Sequence, residues 1–186
     1  MGKLTLVTGG ARSGKSTFAE EMVKKYGNEV VYIATSIPFD DEMKLRIKKH
    51  REQRPDYWET IEAYKDLDRH LKDRLEGKSA VLLDCITVMV TNIMIENNTD
   101  WDAIEAERIV EIEANIKSEI SKLIRLINGS PVPFVLVTNE VGMGIVPEYP
   151  AGRVFRDIAG RVNQMLAAAA DEVYLCISGI PVKIKG

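Results

Sequence analysis

Residues 4–16 of the chain read LTLVTGGARSGKS, and this stretch decides the fold. Its first part, Leu4–Thr8, is apolar and rich in β-branched residues, which predicts a buried strand. A helix is predicted over Lys15–Tyr26, so a glycine-rich turn joins a strand to a helix. The eight residues of this turn fit the pattern G-x-x-x-x-G-K-[ST], which is typical of loops that cradle nucleotide phosphates. They are Gly9, Gly10, Ala11, Arg12, Ser13, Gly14, Lys15 and Ser16.

The chemistry of this loop indicates a nucleoside triphosphate as ligand. Glycines allow backbone conformations in which successive N–H groups point inward and form an anion-binding nest. The N-terminus of the following helix adds partial positive charge. Lys15 is expected to reach the β- and γ-phosphates, and the Ser16 hydroxyl is expected to ligate Mg²⁺, the cofactor that this loop predicts.

A second acidic group is needed to hold the magnesium. The apolar run Ala80–Ile86 predicts a strand that contains Asp84 near its end. Ligands of open α/β sheets collect at the carboxyl ends of the strands, so Asp84 is expected beside Ser16, holding the metal directly or through water. Glu140 follows another apolar run, Phe134–Asn139, and should face the same edge; a structural and a catalytic role remain equally open for it.

The rest of the chain alternates strand and helix patterns, which predicts an α/β fold with a mostly parallel sheet and helices on both faces. The run Pro181–Lys185 is expected to return as an edge strand by a hairpin. No linker or repeat divides residues 1–186, so one domain is expected. Further strands are predicted at Val30–Ala34 and Val173–Ser178, and further helices at Asp41–Gln53, Lys65–Leu75, Trp101–Ile127 and Arg153–Ala169.

Composition excludes several classes of protein. The net charge of −3 argues against a surface devoted to nucleic acid. No apolar run reaches the roughly 18 residues of a membrane span, and the first residues lack the layout of a signal peptide. Cys85 and Cys176 each lie in an apolar run and are expected to be buried thiols in a reducing compartment. We therefore expect a cytoplasmic protein without a nucleic-acid partner.

The helix predicted over Asp41–Gln53 concentrates positive charge, with six basic residues between Lys44 and Arg54. His50 recurs on one face with Arg46 and Arg54, at a spacing of four residues. Taken alone, this pattern favours a solvated basic face with an incidental histidine. The alternative is a face that meets a triphosphate, where neighbouring cations keep the imidazole of His50 neutral and able to attack phosphorus.

Several long strings resemble one family, the bifunctional adenosylcobinamide kinase/adenosylcobinamide-phosphate guanylyltransferases of cobalamin assembly. The resemblance extends over nearly the whole chain, and its later strings are more specific than the phosphate loop alone. The strings are Leu6–Ser16, Tyr32–Ser36, Asp40–Met43, His50-Arg51 with Arg54-Pro55, Thr138–Glu148 and Phe155–Gln164.

The resemblance implies a P-loop NTPase of RecA-like fold that assembles as a homotrimer, with the corrinoid near a subunit boundary. It implies that ATP or GTP phosphorylates the aminopropanol hydroxyl of adenosylcobinamide. GMP is then transferred from GTP through a GMP–histidine intermediate to give adenosylcobinamide-GDP. His50 matches the nucleophile, and Lys15 serves both reactions. The nucleotide contacts that the resemblance implies are Gly9 through Ser16, Ala34, Thr35, Ser36, Arg51, Glu52, Gln53, Arg54, Glu62 and Asp84.

Two other functions fit the phosphate loop. One is a P-loop kinase of another small alcohol, with His50 on the surface. The other is a RecA-like assembly module that hydrolyses nucleotide to change partners, which rests on fold analogy alone.

Overall fold

A computed structural model describes residues 2–37, 55–96, 100, 101 and 103–186 of the chain. Within these residues the chain forms one seven-stranded sheet and five helices. The strands are β1 (Leu4–Gly9), β2 (Val30–Ala34), β3 (Glu59–Glu62), β4 (Ala80–Asp84), β5 (Phe134–Val137), β6 (Glu172–Ile177) and β7 (Ile180–Lys185). The helices are α1 (Lys15–Lys24), α2 (Leu67–Leu71), α3 (Ile86–Ile95), α4 (Ala106–Gly129) and α5 (Pro150–Ala169).

The sheet has the strand order β3-β2-β4-β5-β1-β6-β7. Strand β1 is central and pairs in parallel with β5 on one side and β6 on the other. All other pairings are parallel except that of β6 with β7, which is antiparallel. The expected mostly parallel sheet is confirmed, and the parallel strands bring their carboxyl ends to one edge.

The two faces of the sheet are covered by different helices. Leu4 and Leu6 of β1 pack into a core that includes buried residues of α3, α4 and α5. Val7 faces the other way, into a smaller core with Ala19 and Val23 of α1. Alternate residues of each strand are thus buried on opposite faces, which explains the nearly continuous apolar character of the strands. The expected helices on both faces are confirmed.

The chain changes structure at Asp84, where the sequence predicted that a strand would continue to Ile86. Strand β4 ends at Asp84, and Cys85 precedes the first residue of α3. The residues of α3, ITVMVTNIMI, are rich in β-branched side chains and mostly buried. A continuous apolar run of this kind is compatible with either a buried strand or a buried helix. Tertiary packing selects the helix, and the prediction for residues 85 and 86 was wrong.

The other predicted helices and strands differ less from the observed ones in where they begin and end. The helix predicted over Lys65–Leu75 is reduced to α2, and the helix predicted from Trp101 begins only at Ala106. The hairpin strand at the end of the chain is confirmed as β7. The helix predicted over Asp41–Gln53 lies outside the described residues. None of the helices in the described ranges combines the length and apolar character needed to cross a membrane.

Glu172, the first residue of β6, forms ion pairs with a lysine just before β1 and with a lysine of β7. Its carboxylate accepts a hydrogen bond from Lys183 at 2.6 Å and pairs with Lys3 at 2.8 Å. These two ammonium groups lower the pKa of Glu172 from 4.5 to about 2. A carboxylate with a lowered pKa stabilises the fold above its ordinary pKa and loses that contribution as the pH falls.

We therefore expect Glu172→Gln to lower the free energy of unfolding by about 1 kcal/mol at pH 7, since both lysines are partly exposed and water screens the pair. The contribution of the wild-type carboxylate begins to decline near pH 4.5 and is lost near pH 2. Urea unfolding of both proteins across this range should show the difference narrowing. A difference that stays constant down to pH 2 would contradict this account of the pKa.

Candidate active site

The glycine-rich turn between β1 and α1 is a tight loop that closes on itself. The Ser13 N–H donates to the Gly10 carbonyl at 3.3 Å, and the Phe18 N–H donates to the Gly14 carbonyl at 3.0 Å. Gly14 precedes α1 with φ 89°, and Arg12 has φ 56°. Backbone with positive φ turns successive N–H groups toward one side, as an anion-binding nest requires.

The β6–β7 turn braces this loop from outside. The Gly179 N–H donates to the Ser13 carbonyl at 3.0 Å. A Cβ added at Gly14 would lie 3.0 Å from the Gly179 Cα, and one added at Gly9 would lie 2.4 Å from the Cys176 carbonyl oxygen. Gly9 and Gly14 are therefore required by close backbone contacts within the fold.

Gly9 and Gly10 form a matched pair for testing this requirement. Gly9 has φ 152°, and its added Cβ would also lie 2.7 Å from Ser13 Oγ, whereas nothing lies within 4 Å of a Cβ at Gly10. We expect Gly9→Ala to cost about 2–3 kcal/mol of unfolding free energy through overpacking and strain. Gly10→Ala should leave stability within about 0.5 kcal/mol, as for a surface change, while weakening nucleotide binding. Thermal unfolding and nucleotide titration measure the two effects; equal stability of the two variants would contradict the packing argument.

Lys15 is the buried cation of the loop, with 7% of its surface exposed. Its Nζ donates to the Gly10 carbonyl at 2.7 Å. Burial lowers the pKa of the Lys15 ammonium, and the negative charge of Asp84 opposes part of that change. The loop itself holds the ammonium through the Gly10 carbonyl, and a phosphate oxygen could replace that carbonyl as its partner.

Asp84 ends β4, and its Cα pairs with Ala34 of β2 and Val137 of β5. Strand β5 thus separates the Asp84 strand from β1. Burial, reinforced by the charge of Asp84, raises the pKa of the neighbouring Cys85 thiol to about 12. The thiol therefore stays protonated and is not a nucleophile. The group at this strand end that could bind a metal ion is the Asp84 carboxylate.

The donor set at this edge fits a magnesium ion. Ser16 offers a hydroxyl and Asp84 a carboxylate, the hard oxygen ligands that Mg²⁺ prefers alongside phosphate and water oxygens. The Ser13 hydroxyl is buried and lacks a hydrogen-bond partner in the described part of the chain, so it is available to a phosphate oxygen. No group of three or more His, Cys, Asp or Glu side chains that could hold a metal occurs among the described residues.

A buried polar network joins the ends of β2 and β4. The Thr35 hydroxyl donates to the Cys85 carbonyl at 2.8 Å and accepts from the Cys85 N–H at 3.0 Å. The Asn92 side-chain amide donates to the Thr35 carbonyl at 2.7 Å. These bonds fix the backbone at Cys85, directly after Asp84, and hold the end of β4 against the end of β2.

A second set of bonds fixes the end of β5. The Thr87 hydroxyl accepts from the Asn139 N–H at 2.6 Å, and Thr138 donates to Asn163 at 2.7 Å. The Glu140 N–H donates to the Gly9 carbonyl at 3.0 Å. Glu140 therefore lies at the nucleotide edge of the sheet, as expected. Its own carboxylate caps the Gly142 N–H at 2.7 Å, which supports the structural alternative for its role.

A cavity of about 480 Å³ opens beyond the ends of β2 and β3. This volume lies within the range of small-molecule sites. The cavity is lined by Ala34, Thr35, Ser36, Ile37, Glu62, Ala63, Tyr64, Lys65, Asp66 and His70.

One wall of the cavity is anchored to α4. The Asp66 N–H donates to the buried Glu119 carboxylate at 2.7 Å, and Lys122 joins the Glu119 and Asp66 carboxylates at 2.5 and 3.2 Å. Lys65 and Tyr64 both bond Glu96, the latter at 3.0 Å. The wall is thus held by ion pairs and hydrogen bonds to two helices rather than by apolar packing alone.

The structure therefore groups the predicted site residues in two neighbouring places. Gly9 through Ser16 and Asp84 lie at the carboxyl edge of the sheet, where the charge of Asp84 acts on Lys15, while Ala34, Thr35, Ser36 and Glu62 line the cavity. His50, Arg51, Glu52, Gln53 and Arg54 lie outside the described residues. Sequence reasoning missed Tyr64, Lys65, Asp66 and the exposed His70 as cavity residues. The one available signal was strand β3, whose four residues are too few to stand out.

A parallel sheet that carries a G-x-x-x-x-G-K-S loop between its first strand and first helix defines a P-loop nucleotide-binding protein. Comparison with known families is more specific: the family described as "Cobinamide kinase / cobinamide phosphate guanyltransferase" matches residues 5–184. The chain belongs to this family.

Three similar proteins match almost from end to end. The "Bifunctional adenosylcobalamin biosynthesis protein CobU" of Escherichia coli (strain K12) is 51% identical over 98% of this chain and 99% of its own length. The protein of the same name from Salmonella typhimurium (strain LT2) is also 51% identical, over 98% of this chain and 99% of its own length. "Bifunctional adenosylcobalamin biosynthesis protein CobP" of Pseudomonas aeruginosa is 34% identical over 97% of this chain and 96% of its own.

Proposed function

We propose that this protein phosphorylates the aminopropanol hydroxyl of adenosylcobinamide and then transfers GMP from GTP to the product. The observation that carries the proposal is the braced phosphate loop with its buried Lys15, in a chain that belongs to the cobinamide kinase family over nearly its full length. The bifunctional names of relatives at 51% identity support both activities. A single domain, residues 1–186, carries them.

In the kinase reaction the substrate hydroxyl oxygen forms a bond to the γ-phosphorus. The bond from that phosphorus to the β–γ bridging oxygen breaks, ADP or GDP leaves with the electron pair, and the hydroxyl proton passes to solvent. Such a transition state needs positioning and charge neutralisation more than covalent chemistry. Lys15 and the inward-facing N–H groups of the loop supply both, and Mg²⁺ on Ser16 and Asp84 would neutralise phosphate charge when bound.

In the guanylyl transfer an imidazole nitrogen of His50 attacks the α-phosphorus of GTP, and pyrophosphate leaves. A phosphate oxygen of adenosylcobinamide phosphate then attacks the same phosphorus, the P–N bond breaks, and the histidine is restored. Splitting the transfer in two lets pyrophosphate leave before the bulky corrinoid phosphate attacks. The proposed nucleotide contacts are those named from the sequence, and the cavity beyond β2 and β3 suits the nucleoside part.

We further propose that the enzyme acts as a homotrimer in the cytoplasm without a nucleic-acid partner. The trimer rests on the family resemblance. Both cysteines are free and buried, which supports a reducing compartment.

Transfer assays with labelled nucleotides test the function. Incubation with γ-labelled ATP and adenosylcobinamide should move label into the corrinoid, and α-labelled GTP with unlabelled adenosylcobinamide phosphate should do the same. Transfer of label from γ-labelled ATP but not from α-labelled GTP would favour a P-loop kinase that lacks guanylyl transfer. Nucleotide hydrolysis with no labelled corrinoid in either assay, together with nucleotide-dependent assembly, would favour the assembly module.

A further inference from the structure

The loop between β5 and α5 exposes an unusual amount of apolar surface. Met143 is 81% exposed, Ile145 97% and Val146 62%. We call residues Val141–Tyr149 the apolar loop. Exposed apolar side chains that stand singly are common on protein surfaces, but neighbouring ones mark interaction sites.

The apolar loop is held in place at both ends. Glu140 accepts from the Gly142 N–H at 2.7 Å, and Arg153 donates to the carbonyls of Pro147 and Glu148 at 3.1 and 2.5 Å. A Cβ added at Gly152 would lie 2.8 Å from Pro147 Cβ, so the returning chain packs closely on α5. The loop therefore presents its apolar side chains on a fixed support, which limits the entropy lost when a ligand binds.

Gly144 is not explained by the packing of the chain itself. Its φ is not in the left-handed region, and nothing lies within 4 Å of an added Cβ. Gly10 of the phosphate loop has the same two properties, at a position where the proposed function places a nucleotide against the backbone. Glycine at an open position with ordinary φ leaves room for a ligand to approach the main chain.

The apolar loop begins beside the phosphate loop, where phosphoryl transfer is proposed to occur. Strand β5 is the neighbour of β1, and the Glu140 N–H bonds the Gly9 carbonyl at 3.0 Å. The loop thus begins in direct contact with the phosphate loop. A substrate that rests on it can bring a hydroxyl group to a nucleotide bound at Lys15.

We propose that the apolar loop is the surface on which the corrin ring of the cobinamide substrate rests during transfer. The inference builds on the proposed function. A corrin ring with its amide arms is much larger than a nucleotide, and the cavity of about 480 Å³ is of nucleotide size. The methyl-bearing faces of the corrin suit Met143, Ile145 and Val146, and its amide arms suit the exposed main chain around Gly144.

Two matched pairs of variants test the proposal. Ile145→Ser and Val146→Ser alter the apolar loop. Ile184→Ser, near the far end of β7, and Val110→Ser, on α4, remove exposed side chains of the same kind elsewhere (58% and 66% exposed). We expect each loop variant to raise the KM for adenosylcobinamide about tenfold, as for one apolar side chain left uncovered. The Kd for GTP should not change, and the two controls should keep both constants.

The outcomes separate this inference from the function on which it rests. If the wild-type protein fails to phosphorylate adenosylcobinamide, the proposed function is overturned and the inference with it. If the wild type is active and the loop variants keep its KM, only the inference is overturned. Sedimentation velocity gives the remaining outcome: if the loop variants sediment as smaller species than the wild type, the apolar loop contacts a second copy of the chain, and the corrin assignment is overturned.

Discussion

Lys15→Ala is expected to reduce both the kinase and the guanylyl transfer rates by about a hundredfold or more, the effect of removing one charged group that stabilises a transition state. Lys15 is the buried cation of the phosphate loop, and its ammonium is already held within the loop by the Gly10 carbonyl at 2.7 Å. Binding of a triphosphate requires only a change of hydrogen-bond partner. In the proposed function both reactions start from a nucleoside triphosphate held by this loop, so both rates should fall.

The measurement is kcat/KM for each reaction, with the Kd for GTP determined separately. Lys25→Ala is the matched control, because Lys25 lies just beyond the other end of α1 and is exposed. Far-ultraviolet circular dichroism verifies that the fold persists, which is expected because the alanine variant leaves the glycines and the brace at Gly179 intact. Unchanged rates and GTP affinity in Lys15→Ala would show that the phosphate loop does not bind the nucleotide.

His50→Asn is expected to abolish guanylyl transfer while kinase activity stays measurable. In the proposed reaction His50 carries the GMP, and an asparagine amide cannot replace the imidazole nitrogen as a nucleophile. The kinase reaction attacks the γ-phosphorus and needs no covalent intermediate on the protein. The direct readout is label from α-labelled GTP that stays on the denatured protein after pyrophosphate has left, as a GMP adduct that is labile in acid and stable in alkali.

The chain has two histidines, so His70→Asn is the natural control. It removes an imidazole from the cavity wall and should retain the labelled adduct. If His50→Asn retained the adduct and His70→Asn lost it, the nucleophile would be His70. Equal loss of both activities in His50→Asn would contradict separate roles for the two reactions.

The parts of the fold that follow from the sequence are those whose signals are local. The glycine-rich loop is predicted because its spacing, its preceding strand and its following helix agree. The strand predicted over Phe134–Asn139 is confirmed over Phe134–Val137, because a short apolar run with β-branched residues favours a buried strand. Helix α3 could not be predicted in this way. Its residues prefer strands individually, and only burial between α4, α5 and the sheet makes them helical.

The residues of the candidate site likewise divide into those that local sequence signals predict and those that they do not. Lys15, Ser16 and Asp84 stand in motifs or at strand ends, so their grouping follows from the rule that ligands collect at the carboxyl edge. The cavity wall at Tyr64, Lys65 and Asp66 is held by hydrogen bonds and ion pairs with residues far along the chain, Glu96, Glu119 and Lys122. Such pairings carry no local sequence signal. Much of the apolar loop lies within the string Thr138–Glu148 that carries the family resemblance, but its exposure emerged only from the fold.

Strand β1 lies inside the sheet between β5 and β6, and this position matters for the order in which a ribosome makes the chain. Leu4 donates its N–H to Asp171, 167 residues away, and the phosphate loop rests on Gly179. On a ribosome β1 is made long before both of its neighbours in the sheet, since β5 begins at Phe134 and β6 at Glu172. The apolar strand β1 therefore stays without its partner strands while the intervening residues are made, and pairing between such distant segments is slow to form. A chain truncated before Gly179 lacks the hydrogen bond from the Gly179 N–H to the Ser13 carbonyl, so we expect it to bind nucleotide more weakly than the full chain.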